Sequence, residues 1–379
     1  MEKRLTVLAV LLLLPVIVAA QEVHTFYKDG IVVKSDDGNF LLKFNARMQH
    51  LFAVEDRDLG NASQTTPSFN IRRARMTMSG NGFYPWLKYE MQFTLEGAAL
   101  NVRDLWLDLA KNRKLQPRLG QFKVPFNREF LTSTGALQCV DRSIVNEEFQ
   151  LGRDIGFALR GHLSSDKVEY ALGAFNGSAQ NRANQDRTLM YVARAGLNLL
   201  GKMAYSQAAL ENPGKPLLAI GVAAAILPNY KPAIEGSGDR ANLARAVRGE
   251  NSDTSDVIQV TADVALKSRG FSFEGEYHFR RLKPIETSQN VNANGLRLQA
   301  GYFVVPQKIE IALLFAKVNP NTAIKADAAR EMTPAFSYYA SGHRLKLQTD
   351  FSFIKEEQPV DAGGNLKHRR FRAQMQFLF

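Results

Sequence analysis

Among 379 residues there is one cysteine, Cys139, and there are only two tryptophans. A single thiol excludes a disulfide framework and a cysteine-based metal cluster, and it leaves no haem-attachment motif. Also missing is any long apolar run beyond the N-terminus. A membrane helix takes about 20 consecutive apolar residues, and the stretch from Leu217 to Leu227 is the longest present, so a helical membrane protein is excluded. Apolar residues as such are not scarce: they make up 45% of the chain at a mean hydropathy of −0.22, too apolar for a disordered chain.

Residues 1–20 read as an address. Lys3 and Arg4 precede an apolar stretch from Leu5 to Val18, and Val18-Ala19-Ala20 supplies small residues for a signal peptidase, which predicts cleavage after Ala20. Losing Glu2, Lys3 and Arg4 would take the 48 basic and 37 acidic side chains to 46 and 36, so the net charge falls only from +11 to +10. The basic excess belongs to the mature chain.

What the sequence has in quantity is alternation. Phe40, Leu42, Phe44, Ala46 and Met48 interleave with Leu41, Lys43, Asn45, Arg47 and Gln49; Leu87, Tyr89, Met91, Phe93 and Leu95 interleave with Lys88, Glu90, Gln92, Thr94 and Glu96. Side chains two apart share one face of a strand, so this pattern gives each strand one apolar and one polar face. The same reading predicts sixteen strands, near 39–54, 69–80, 86–96, 101–110, 115–125, 154–163, 168–176, 190–200, 217–227, 256–266, 271–280, 294–304, 309–319, 332–340, 344–355 and 368–379. Many reach the 9–11 residues that a tilted transmembrane strand needs. Short turns alternate with longer polar loops such as Asp56 to Pro67 and Pro228 to Ser255, as in an outer-membrane barrel. A soluble sandwich also alternates, but it has little reason for such long strands or for an aromatic end, Phe377-Leu378-Phe379. The fold expected is all-β: a sixteen-stranded antiparallel transmembrane β-barrel over 39–379, with 21–38 a periplasmic N-terminal segment. The connections near Gly97 and from Gly201 to Pro216 are the irregular ones, too short and too long for their sides.

If the apolar parity faces lipid, the other parity lines the lumen. That places Lys43 and Arg47 on the first strand and Arg73 and Arg75 on the second, with Arg72 displaced by a bulge because the parity changes after Ile71. Arg118, Arg160, Arg194, Arg297, Arg344, Lys346, Arg370 and Arg372 fall on further inner positions. Guanidinium groups stay charged and coordinate oxyanions, and rings of Arg and Lys favour anions. Glu90, Glu96, Asp104, Asp108, Glu274, Glu276 and Glu310 share that face and must pair with some of them. The connection from Phe126 to Arg153 is too long and too apolar for a solvated loop. It is expected to fold inward as the third long loop and narrow the channel, bringing Arg128, Arg142 and Arg153 to the constriction.

These residues resemble the phosphate-selective porins O and P. The likeness rests on Asp29-Gly30, Arg72-Arg73-Ala74-Arg75, Asp104-Leu105-Trp106-Leu107, Gly120-Gln121-Phe122-Lys123-Val124-Pro125-Phe126 and Arg153-Asp154-Ile155-Gly156. It implies a trimeric outer-membrane porin with an arginine ladder. By similarity Arg47, Arg72 and Arg73 belong to the anion path, with Asp104 an acidic partner, and Arg75, Lys43 and Lys123 complete the expected pore lining. Phosphate-selective members carry a lysine on the inward loop, whereas Thr132 to Val140 holds neither Lys nor Arg, so the likeness speaks to ancestry more than to cargo.

The expected function is passive diffusion of small anions, phosphate among the candidates, through a barrel set in outer-membrane lipid and lipopolysaccharide as a homotrimer. No cofactor, metal or nucleic acid is expected. A second reading is a scaffold barrel that sheathes a partner such as an outer-membrane multihaem cytochrome. An enzyme is not expected, since the six histidines form no constellation with Ser or Asp.

Overall fold

The computed structural model describes residues 22–96, 100–184, 187–232, 240–249, 254–286, 289–357 and 365–379. The expected signal segment 1–20 and the short connection at Gly97 lie outside them. The first two strands, β1 (Val23–Tyr27) and β2 (Ile31–Ser35), form a hairpin. Sixteen longer strands follow: β3 (Leu41–Asp58), β4 (Ser63–Asn81), β5 (Leu87–Thr94), β6 (Asn101–Leu109), β7 (Gln116–Lys123), β8 (Arg153–Leu163), β9 (Val168–Phe175), β10 (Met190–Asn198), β11 (Leu217–Tyr230), β12 (Ser255–Ser268), β13 (Phe271–Pro284), β14 (Val291–Val305), β15 (Ile309–Asn319), β16 (Ala329–Ser341), β17 (Leu345–Glu356) and β18 (Leu366–Leu378). Each pairs antiparallel with the next, and β18 returns to pair with β3, from Arg369 opposite Asp56 to Leu378 opposite Arg47, which closes the barrel. All sixteen expected strands are present.

Burial follows the alternation. In β10 and β16 buried and exposed residues alternate position by position; Tyr191, Val222, Phe336 and Met375 are among the large apolar side chains on the exposed outer parity. No helix among the described residues is long and apolar enough to cross a membrane.

Three details differ from the expectation. The polar stretch Asp56 to Pro67 is mostly strand, because Asp58 pairs with Ser63 and Asp56 with Thr65, leaving a loop of only 59–62. Ladder bonds satisfy backbone groups whatever the side chains, so a polar strand can continue past the apolar band. Secondly, two strands stand ahead of the sixteen expected ones, and β2 pairs with β3 over Leu41–Phe44, on the part of the β3 edge beyond the reach of β18, whose neighbour Phe379 exchanges backbone bonds with Ala46. The turn between β1 and β2 uses Asp29 at φ 53° and Gly30 at φ 133°, a backbone that glycine adopts without strain. Thirdly, the long 199–216 turn folds into the barrel.

Candidate functional site: a divided lumen

Between β7 and β8 the chain carries α1 (Arg128–Leu131), a single 3-10 turn (Thr134–Ala136) and α2 (Ile144–Phe149). Ser143 caps α2, its side chain accepting from Asn146 N, which satisfies one of the donors a helix start leaves open. Bonds reach this segment from around the wall. Arg47 of β3 donates to Ser133 Oγ at 3.0 Å and Thr134 Oγ1 at 2.9 Å. Gln376 of β18 donates to Gly135 O at 3.1 Å, and Lys346 of β17 to Leu137 O at 3.0 Å. Ile144 N donates to Glu331 of β16 at 2.9 Å, and Glu129 N to Glu276 of β13 at 2.6 Å. A segment held from β3, β13, β16, β17 and β18 of a closed barrel lies inside it.

Two other insertions join it. From the opposite end, the 199–216 turn buries Met203, Gln207, Ala208 and Ala209. There Gln207 N donates to Ala136 O at 3.2 Å, and Gln207 Oε1 accepts from Gln138 N at 2.8 Å and from Gln299 Nε2 at 3.0 Å. Between β11 and β12, α3 (Ala241–Gly249) puts Leu243 and Val247 into an apolar cluster with Phe126, Leu151, Phe175 and Met190. Arg240 anchors this insertion through Leu151 O at 2.8 Å and Asp154 Oδ2 at 2.8 Å.

The filled half of the lumen is electrically compensated. Arg297 lies 3.2–3.3 Å from Glu129, Glu274 and Glu276. Arg372 meets Asp350 at 2.7 Å and Asp141 at 2.9 Å, and Arg280 pairs with Glu148. An ion held at this depth needs a partner, because desolvation alone costs several kcal/mol. Asp141, on the inward segment, sits among three cations: Arg73 at 2.7 Å, Arg372, and Arg72 at 3.1 Å. Its burial raises its pKa, but Arg73, Arg372 and Arg72 outweigh that and hold the carboxyl well below the usual carboxylate range.

The other half is open. A cavity of about 400 Å³ is lined from β3 to β8 by Arg47, Arg75, Arg118, Lys123, Arg153 and Arg160, against the carboxylates Glu90 and Asp104. Arg153 chelates Asp104 with contacts of 2.8–3.1 Å. Arg118 and Arg160 share one oxygen of Asp108, and the Arg118 guanidinium lies 3.4 Å above the centre of the Trp106 ring. Arg75 is 4.0 Å from Glu96 and donates to Thr134 Oγ1 at 3.2 Å. Among the described residues Arg47 has no carboxylate partner. Gly135 lets it in, since a Cβ there would stand 2.4 Å from Arg47 Nη1.

The sequence-predicted residues therefore divide. Arg47, Arg75, Lys123, Arg153 and Asp104 come together around the open cavity. Arg73 is buried between Gln49 and Asp141. Arg72, unpaired in the β3–β4 register at the break between Gln49 and His50 as the parity change implied, also binds Asp141. Lys43 pairs in register with Ser79 and Val32, nearer the hairpin. Arg128 points to the filled half, 3.1 Å from Glu274 and 3.8 Å from Asp263. Arg142 donates to the carbonyls of Glu129, Phe130 and Thr132, and Lys123 to those of Phe130, Leu131 and Thr132. Together they satisfy the carbonyls that a helix end leaves unpaired. Residues the sequence did not single out for the path are Trp106 and Leu131 in the lining and Tyr205 beyond it. Trp106 was legible as an aromatic on an inner position, and the excess length of the Tyr205 turn was a signal without a content.

The family model for phosphate-selective porins O and P matches residues 43–379. No curated protein sequence matches the chain. Among solved structures it is similar to the trimer form of OmpT from Vibrio cholerae, at 11% identity and a TM-score of 0.57 over 89% of this chain and 99% of that one. It is also similar to OprB of Pseudomonas putida, at 10% identity and 0.56 over 89% and 94%. The outer-membrane channel DcaP of Acinetobacter baumannii gives 11% and 0.56 over 91% and 99%.

Proposed function

The chain belongs to the phosphate-selective porin O and P family, barrels of the bacterial outer membrane, and from that premise we propose a passive channel that prefers small anions and works as a homotrimer. The observation carrying the reading is the charge balance of the open cavity: six basic side chains line it against Glu90 and Asp104, and a basic excess remains when Asp108 and Glu96 behind the lining are counted. Confined between low-dielectric walls, that excess raises the local concentration of anions and repels cations. Arg47 and Arg75 are assigned the path itself, because among the described residues no carboxylate accepts a hydrogen bond from either, Glu96 standing 4.0 Å from Arg75. Lys123 and Arg153 add potential while holding the wall, and Lys43 contributes at the turn end. Arg72, Arg73, Arg128 and Arg142 are assigned to positioning the inward segment.

The rest of the proposal follows from orientation. Residues 1–20 act as an export signal, the short turns and the β1–β2 hairpin face the periplasm, and the long loops face outward. The outer parity contacts lipid and, at its outer rim, lipopolysaccharide. The trimer is supported by likeness to an outer membrane protein solved in its trimer form. The sheath reading loses its support, since the chain's own segments occupy the space a partner protein would need.

Zero-current potentials across a potassium chloride gradient test the charge assignment. The native channel is expected to favour chloride, and Arg47→Ala with Arg75→Ala to move the potential towards zero. An unchanged potential in the double variant would remove these residues from the path.

A further inference from the structure

The open cavity has two kinds of wall. Arg47 and Arg75 stand on the β3–β4 side, while Leu131 and Pro125 of the inward segment, with Trp106 and Phe122, supply hydrocarbon. Leu131 and Trp106 retain partial exposure there, so their apolar surface is available to a solute. Below, a second cavity of about 300 Å³ shares Pro125, Leu131 and Arg160 with the first and adds Arg194 and Tyr205, whose hydroxyl donates to the one carboxylate of that lining, Glu169. Cation and apolar surface thus stay side by side along the path.

A hydrated inorganic oxyanion gains nothing from the hydrocarbon side. To shed water it needs donors on every oxygen, and here Arg118, Lys123, Arg153 and Arg160 already spend donors on Asp108, backbone carbonyls or Asp104. An anion with one charged head and a compact apolar body fits both walls: the head takes Arg47 and Arg75, and the body covers Leu131 and the Trp106 edge, removing apolar area from water.

We infer that the favoured permeants are organic carboxylates with a compact, planar apolar body, of which benzoate is the simplest probe. The inference rests on the anion-channel reading and names its substrate class.

The test uses the full-length protein in planar bilayers. Benzoate, acetate and phosphate are added in turn to a chloride-carrying channel, and zero-current potentials are then measured for each against chloride. Benzoate is expected to reduce chloride current at about fivefold lower concentration than acetate, the order that burying one or two carbons' worth of apolar surface gives, and to permeate ahead of phosphate. Leu131→Ser is expected to narrow the benzoate–acetate difference. Equal effects of benzoate and acetate on the native channel, or phosphate ahead of benzoate, would overturn the inference while a chloride preference left the anion reading standing. A native channel without chloride preference would overturn that reading instead.

Discussion

The two halves of the lumen carry similar residues and use them differently. On the β12–β18 side, arginines are matched by carboxylates from the wall and from the inward segment, and Arg280, Arg297 and Arg372 are almost wholly buried. Towards β3–β8 the basic side chains outnumber the carboxylates in the cavity lining, and among the described residues Arg47 bonds to hydroxyls of the inward segment and to no carboxylate. Guanidinium groups act as structural ties where each has its counter-charge, and set a field where they do not. The carboxylates decide which, so counting basic residues on the inner parity overstates the channel's charge.

The comparison can be broken most severely by removing what divides the halves. Deleting Ser133 to Asn146 should merge the filled and open spaces and raise single-channel conductance severalfold; no increase would mean that the segment does not limit the pore. Next in size, Asp141→Ala leaves Arg73 and Arg372 buried with one partner fewer. Uncompensated buried charge costs roughly 3 kcal/mol or more, to be read as a lowered urea midpoint of heat-modifiable mobility. The same carboxyl gives the pH dependence its sign. Its folded pKa lies below the unfolded value of about 3.9, so its stabilisation is complete above that value and is lost only as the pH falls through the folded one. Asp141→Asn should therefore cost stability at pH 7 and progressively less in strong acid.

A matched pair of charge removals sharpens the contrast. Arg47→Ala should shift the zero-current potential with little change in the urea midpoint, whereas Arg297→Met should do the reverse, since Arg297 serves Glu129, Glu274 and Glu276. The smallest effect is expected from Gly135→Ala. Its new methyl group meets the flexible end of Arg47, so the guanidinium gives way and selectivity weakens slightly, measurable as a reduced shift in the same potential.

Much of the barrel was legible because strand periodicity writes inside and outside into alternate letters, and all sixteen spans surfaced that way. The bulge at Arg72 was equally visible, as a change of parity after Ile71. Pairing was not visible. Arg72, Arg73 and Arg75 have no acidic neighbour in sequence, and Asp141 reaches Arg73 from 68 positions away. Nothing in local periodicity encodes a contact made by a loop folding back. The partner of Arg128 is hidden for the same reason: its place on the inward segment is legible, but the side of the lumen it faces is fixed by Glu274, 146 positions on. The β1–β2 hairpin carries its signal in Asp29-Gly30 between two β-rich runs.

The β18–β3 seam also sets an order in time. Across it Gln49 bonds to Gln376, 327 positions away, whereas the other barrel ladders join strands consecutive in sequence. The entropy of closing a chain rises with that span and non-local pairing is slow, so hairpins condense first and the seam follows. Meanwhile the bare edge of β3 is a template for wrong partners. The β1–β2 hairpin occupies the stretch of that edge which β18 never reaches, shortening the exposed template and setting a stop: an incoming β18 can slide no further than Ala46. An eighteen-residue strand thereby waits for its last neighbour with its register already chosen.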